Sequence, residues 1–516
     1  MADDRKSEME AVLRKQRAAH NQMRPEPMAL RKDRIQRAMK LLTDHAEDLC
    51  KVMAADFGNR SPHQSMITDI AGTVNFGKYC LKHMDKWSRA EKRHVQFPLG
   101  LLGAKAEVRY EPKGVVGILS PWNFPVNLSF GPLMQIFAAG NRAMIKPSEF
   151  TEKTSLLTKE LVEEYFTPDE CAVFTGGPEV AAAFSELPFD HLIFTGSTAT
   201  GRRVMESAAK NLVPVTLELG GKSPVFMGES ADFAKAGERV ALGKMMNAGQ
   251  ICLAPDYLYV PESKQDEAIH GVWQGTANMY PTLLDNEDYA SVVTDRHFDR
   301  LQDLVADARD KGAEVIEVNP GNEDFSNTNA RKMPLTILKN VTDDMKAMQE
   351  EIFGPVLPVK TYRHIDEAID YVNAHDRPLG LYYFGQDKSE EDRVLTRTIS
   401  GGVTVNDLGC GYGALFEFLA ERPEMADGRY VGYDVCADML AHAKRRPSSL
   451  DDLEADRSAG VLRQAGEDKG ACAGGTPRSR HKSHGQSRLF DPHALVLRFQ
   501  RLANRSAGIQ SSEWGL

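Results

Sequence analysis

A thiol, a carboxylate and an amide stand out in three separate short motifs. Cys252 closes Asn247-Ala248-Gly249-Gln250-Ile251-Cys252, and Glu218 lies in Leu217-Glu218-Leu219-Gly220-Gly221-Lys222-Ser223-Pro224. Asn123 lies in Pro121-Trp122-Asn123-Phe124-Pro125. A thiolate attacks carbonyl carbons, a carboxylate with a raised pKa acts as a general base, and an amide N–H can hold a developing oxyanion. Each residue also has a plain structural explanation. Cys252 could be a small buried hydrophobe, Glu218 an edge-strand carboxylate facing water, and Asn123 a helix cap.

A second set has the chemistry of a nucleotide site. Ile145-Lys146-Pro147-Ser148-Glu149 presents a cation and a carboxylate side by side. Phe194-Thr195-Gly196-Ser197-Thr198-Ala199-Thr200-Gly201 runs from a strand into a helix, where glycine permits close backbone approach and the helix start favours phosphate. It lacks the GxGxxG spacing and reads equally as a structural linker, as Lys146 reads as a solvated charge. Glu350-Glu351-Ile352-Phe353-Gly354-Pro355 follows much later.

The elements that must position these groups fall into three textures. Up to about Ser88, apolar residues recur at helical spacing, as in Ile35, Met39, Leu42, Ala46 and Leu49. From about Ala104, short strands at Glu107–Tyr110 and Gly114–Leu119 lead into an alternation of helices and strands. Ala143–Ile145, Ala172–Phe174, His191–Phe194 and Val213–Leu217 read as buried strands, which argues for a mostly parallel, doubly wound sheet. A second alternating block spans about Ser223 to Val405 and includes a helix at Asp232–Met246. After about Arg446 the chain is rich in Gly, Ser, Arg and Lys without periodicity, so disorder is expected there.

Composition narrows the class. A chain of 516 residues needs two or three cores. The net charge of -10 argues against general nucleic-acid binding. No apolar run approaches a membrane span, and the start, Met1-Ala2-Asp3-Asp4-Arg5-Lys6, has no signal-peptide core. Cysteines at 50, 80, 171, 252, 410, 436 and 472 form no CxxC pair, which suits the cytoplasm and gives no metal site.

Taken together, LELGGKSP, the GQIC ending 34 residues after Glu218, PWNFP, IKPSE, FTGS and EEIFGP resemble the aldehyde dehydrogenase superfamily, in family order, over roughly residues 10 to 407. The run from Gly249 to Tyr257 is most similar to the branch of coniferyl aldehyde dehydrogenases and class 3 enzymes. The resemblance implies an α/β fold: a Rossmann-like NAD-binding domain over 1–216, with an oligomerisation hairpin near 104–119, and an α/β catalytic domain over 217–406. It implies oxidation of an aldehyde to the acid, and the branch points to a bulky, aromatic one such as coniferyl aldehyde. Cys252 would attack, Asn123 with the Cys252 N–H would hold the oxyanion, and Glu218 would activate water against the thioester. Lys146 and Glu149 would hold the adenosine ribose, favouring NAD while NADP stays possible. Trp122, Gly196 and Ser197 would sit near the pyrophosphate, Glu351 and Phe353 at the nicotinamide ribose and ring. Gly220 would let the cofactor approach, or simply serve a turn. A homodimer is the family's usual assembly.

The resemblance stops near residue 407. Relatives continue into a glycine-rich loop and an interface segment; here the chain runs Asp407-Leu408-Gly409-Cys410-Gly411-Tyr412-Gly413, and later Tyr430-Val431-Gly432-Tyr433-Asp434. That resembles the start of a class I methyltransferase, with Gly409, Gly411, Gly413 and Asp434 at S-adenosylmethionine. The expectation is a replaced C-terminal segment: a fragment over 407–446 and a disordered tail over 447–516, joined to the dehydrogenase body by a junction of two coding sequences. An impaired dehydrogenase scaffold and a binding fragment for S-adenosylmethionine are the alternatives.

Overall fold

The computed structural model describes residues 2–326 and 330–406. Gly409, Gly411, Gly413, Asp434, the fragment 407–446 and the tail 447–516 lie outside them.

The chain opens with helices Ala2–Gln22, Met28–Asp44 and Ala46–Phe57, then a π-helical turn at Met66–Ala71 running into the helix Gly72–Trp87. The apolar residues read at helical spacing fall on two successive helices. His45 leaves helical geometry (φ -115°, ψ 24°), so Ile35, Met39 and Leu42 lie on one helix and Ala46 and Leu49 on the next. Ile35, Leu42, Ala46 and Leu49 nevertheless enter the same core, which is why the periodicity survives the break.

β1 (Glu91–Arg93) and β2 (Ala106–Val108) form a small antiparallel ribbon, pairing Glu91 with Val108. The hairpin expected near 104–119 is therefore not formed within those residues. β2 pairs backwards with β1, while β3 (Val115–Leu119) is buried along its whole length at the centre of the first large sheet.

That sheet contains β3, β4 (Arg142–Lys146), β5 (Cys171–Val173), β6 (His191–Gly196) and β7 (Val215–Leu219), in the parallel order β5-β4-β3-β6-β7. Its strands read as apolar runs because both faces are covered. Val116 and Ile118 meet the core of the N-terminal helices, whereas Val115 and Leu119 join Met9, Leu13, Phe184 and Leu192 on the other side. The strand order reverses between β3 and β6, so loops leaving their carboxyl ends flank a crevice of the kind that takes ligands in open α/β sheets. β7 belongs to this sheet through Leu219, which moves the boundary expected at 216 past Glu218.

The second sheet comprises β8 (Pro224–Met227), β9 (Tyr257–Pro261), β10 (Glu314–Val318), β11 (Leu335–Lys339), β12 (Val356–Tyr362), β13 (Gly380–Phe384) and β14 (Gly402–Val405), ordered β10-β11-β12-β9-β8-β13-β14. Only β10 among these described strands runs antiparallel to its neighbour. The expected helix at 232–246 is observed as Phe233–Met245, with the Asp232 carboxylate accepting from the Lys235 N–H at 3.2 Å as its cap. No helix among the described residues is long and apolar enough to cross a membrane, and no cluster of three or more His, Cys, Asp or Glu among them could hold a metal ion.

Candidate active site

The loop carrying Cys252 is held in an unusual backbone conformation. Asn247 and Ala248 each have φ 51° and Gly249 has φ 73°, all in the left-handed region. Position 249 must be glycine, since a Cβ there would lie 2.5 Å from the Gly354 carbonyl oxygen. This close approach explains how NAGQIC and EEIFGP, far apart in sequence, become one structure. Gln250, fully buried, works as a strut. Its Nε2 donates to the Asn247 carbonyl at 2.9 Å and the Ser291 carbonyl at 3.1 Å, and its Oε1 accepts from the Val293 N–H at 3.0 Å. Beyond the cysteine, the Tyr382 hydroxyl donates to the Leu253 carbonyl at 2.6 Å.

Asn123 follows β3 and is buried against this loop. Its Nδ2 donates to the Gln250 carbonyl at 3.1 Å, and its own carbonyl accepts from Asn247 Nδ2 at 3.2 Å. It does not cap the next helix. The Asp69 carboxylate does so, accepting from the Val126 and Asn127 N–H groups at 3.1 Å each. An amide NH2 has two hydrogens, and Gln250 occupies one, so the other stays available.

Two carboxylates bear on the thiol. Glu218 sits half-buried on β7 opposite Thr195. Glu351 lies over the turn after β7: a Cβ at Gly220 would come within 2.2 Å of its Oε1. Gly220, read either as a glycine for cofactor approach or as a turn glycine, makes room for the Glu351 carboxylate. Burial, with Asp256 nearby, pushes the Glu351 carboxyl up to about 7. Burial, with Glu351 and Glu218 adding to it, pushes the Cys252 thiol up to about 12 although the residue keeps some open surface. The thiol is therefore protonated at neutral pH and needs a proton acceptor.

The Glu351 segment is pinned by residues that no spacing singled out. Asp256 accepts from the Ile352 N–H at 2.9 Å and pairs with Lys222, whose ammonium also donates to the carbonyls of Ala347 at 2.7 Å and Glu350 at 3.0 Å. Arg300 donates to the Glu351 carbonyl at 3.3 Å and to that of Ile352. Lys244 is wholly buried with no hydrogen-bond partner among the described residues, and burial lowers its ammonium to about 8.

The nucleotide-type residues face the crevice from the first sheet. Lys146, at the end of β4, is buried and lowered by that burial. It donates to the Pro147 carbonyl at 2.9 Å and lies 3.4 Å from the partly exposed Glu149 carboxylate. Gly196 ends β6, and Ser197 caps the helix Thr198–Ala209 by accepting from the Thr200 N–H at 3.3 Å. The first turn, 197–200, is exposed and suits a phosphate. A cation–carboxylate pair and an open helix start at the switch point fit a dinucleotide. Trp122 and Phe353 meet edge to face at 5.4 Å, and His297 joins them, 5.1 Å from Trp122 and 5.2 Å from Phe150. Phe353 has φ 53°, and burial lowers the His297 imidazole to about 4, so it is neutral. His297 was not legible as a site residue; a lone histidine at a helix start carries no distinguishing spacing.

The chain matches the aldehyde dehydrogenase family over residues 1–417, a span that takes in Gly409, Gly411 and Gly413. It is 54% identical over 441 residues to a probable coniferyl aldehyde dehydrogenase of Caulobacter vibrioides, covering 84% of this chain and 90% of that one. It is 50% identical over 398 residues to a coniferyl aldehyde dehydrogenase of a Pseudomonas species, covering 77% and 82%. Among solved structures it is similar to the substrate-bound state of Staphylococcus aureus AldH, at TM-score 0.72 and 35% identity, covering 77% of this chain and 85% of that one. An NAD+ complex of a Bacillus cereus aldehyde dehydrogenase aligns at TM-score 0.70 and 26% identity, covering 79% and 82%.

Proposed function

The chain belongs to the aldehyde dehydrogenase family and has its fold, and on that premise we propose that it oxidises a bulky aromatic aldehyde of the coniferyl type to the carboxylic acid. The observation that carries the mechanism is the meeting of the Asn123 amide with the backbone of the Cys252 loop, 3.1 Å from the Gln250 carbonyl. The coniferyl relatives support the substrate class.

The Cys252 thiol passes its proton to a carboxylate, for which Glu351 at about 7 is matched to neutral pH. The sulfur attacks the aldehyde carbon to give a thiohemiacetal, whose oxyanion takes the second Asn123 N–H and the Cys252 backbone N–H. NAD, when bound, supplies the hydride acceptor for that carbon. Collapse of the oxyanion leaves a thioester on Cys252, and Glu218 takes a proton from the water that hydrolyses it. Lys146 and Glu149 hold the adenosine ribose, Ser197 and the helix start face the pyrophosphate, and Trp122 and Phe353 wall the nicotinamide end. The Glu149 carboxylate repels a 2′-phosphate, so NAD is preferred over NADP.

The test is NADH formation from coniferyl aldehyde by the full chain. Cys252→Ala is expected to lose about four orders of magnitude or more in kcat, as removal of a covalent nucleophile does, with NAD binding retained. Turnover at the wild-type rate by that variant would refute the mechanism.

A further inference from the structure

The segment from Arg60 to Ala71 supplies none of the reacting groups assigned above, yet it touches both loops that carry them. Arg60 and Asp69 form a wholly buried ion pair at 2.7 Å, and the guanidinium lies 5.3 Å from the Phe124 ring centroid. Asp69 sits on the π-helical turn, a geometry frequent at functional sites. Its carboxylate holds the N–H groups of Val126 and Asn127, and Asn127 Nδ2 donates to the Thr68 carbonyl at 2.8 Å. One turn earlier, Gln64 reaches the other loop. Its Oε1 accepts from the Asn247 N–H at 3.0 Å, and its Nε2 donates to Asn247 Oδ1 at 3.1 Å.

This reciprocal pair decides which way the Asn247 amide points. With Oδ1 engaged by Gln64, Asn247 Nδ2 must face the carbonyls of Asn123 at 3.2 Å and Gln250 at 3.3 Å. The flipped amide would set oxygen against two carbonyls and nitrogen against the Gln64 donor. The Gln250 carbonyl so aligned is the group that fixes Asn123 Nδ2. We propose that Gln64 is a positioning residue for oxyanion stabilisation: through Asn247 and the Gln250 carbonyl it aims the second Asn123 N–H at the aldehyde oxygen. This rests on the reading of Asn123 as an oxyanion donor.

The experiment is a double-mutant cycle on the full chain, measuring kcat and KM for coniferyl aldehyde. Gln64→Leu removes both hydrogen bonds. Gln64→Glu keeps the size and the acceptor but loses the donor that orients Asn247. Both are expected to lower kcat about tenfold, a fraction of the roughly 100- to 1,000-fold that a lost oxyanion donor costs, with KM within about twofold. In an Asn123→Ala background, neither is expected to lower kcat further. Wild-type kcat in Gln64→Glu, alongside a large loss in Asn123→Ala, would overturn the positioning role and leave the oxyanion donor standing. Multiplicative losses would also overturn it, by showing that Gln64 acts outside Asn123. Wild-type kcat in Asn123→Ala would remove the oxyanion reading itself.

Discussion

Two clusters of buried charge treat the same residue types in opposite ways. Beneath the N-terminal helices, Arg34 donates to Glu26 at 2.6 Å and Glu170 at 3.0 Å, and Arg37 donates to Glu170 at 2.8 Å. Burial pushes the Glu170 carboxyl up, but hydrogen bonds from Arg37 and Arg34 outweigh it and bring the group to about 2. Around Cys252 the balance is reversed: Glu351 rises to about 7, Lys244 falls to about 8 and the thiol rises to about 12. Glu170, held by two guanidinium groups, is driven into its ionised form; burial holds Glu351 and Lys244 near the pH at which they exchange protons. The first arrangement serves the fold, and the second suits chemistry.

The largest way to break the comparison is to unpair the first cluster. Glu170→Ala leaves the buried Arg34 and the half-buried Arg37 short of a partner, and is expected to cost about 3 kcal/mol of stability, as stripping one side of a buried ion pair does. Denaturant unfolding at pH 7 measures this, with kcat per folded molecule within about twofold of wild type. The wild-type Glu170 contribution is present above the unfolded carboxylate pKa and is lost as pH falls from there towards about 2. The variant should lack that acid limb. An unchanged denaturation midpoint would mean that the pairing stabilises nothing.

Much of the second cluster was legible in the sequence, and the reason is covalent proximity. Cys252, Glu218, Asn123 and Glu351 each sit in a short motif whose glycines or prolines fix a local turn, so residue type and neighbours announce them. The sheets were legible because β3 through β6 are apolar runs bounded by turns. What stayed hidden depends on long-range contact. Gln64 is one of several polar residues in the run from Arg60 to Ser65, and its meaning comes only from Asn247, 183 positions away. Nothing local to Gly220 reveals that the Glu351 carboxylate fills the space above it. The partner of β2 was missed because Glu91–Arg93 is wholly exposed and carries no alternation. The break at His45 has no glycine or proline to mark it.

A smaller change should relieve the second cluster. Lys244→Met keeps the chain's bulk while removing an ammonium that burial lowers from 10.5 to about 8. At pH 7 the folded lysine is still charged and the whole desolvation penalty is present, so the variant should be about 2 kcal/mol more stable. Between about pH 8 and 10.5 the unfolded chain binds more protons than the folded one, so wild-type stability rises with pH across that window and the advantage fades. A Lys244→Met protein less stable than wild type at pH 7 would show that Lys244 is better paired than its surroundings indicate.

The smallest stability effect sharpens the comparison most, because it sets fold against function at one residue. Glu351 has a folded pKa of about 7, raised from 4.5 by burial. Between those values the folded chain binds more protons than the unfolded one, so wild-type stability falls as pH rises through the window. Glu351→Gln, whose amide oxygen can still accept from Gly221, should therefore match wild type below about pH 4.5. It should be about 1 kcal/mol more stable at pH 8, a figure reduced for the part of the carboxylate that water reaches. Its kcat/KM should lack the rise through pH 7 that titration of Glu351 gives the wild type, and should be about tenfold lower at pH 8. Tm and kcat/KM measured on the same two proteins across pH 5 to 9 check both halves. A gain in stability with a loss of rate marks a carboxylate kept for its proton and not for the fold, whereas a loss of both would place Glu351 with Glu170 among the charges that hold the structure together.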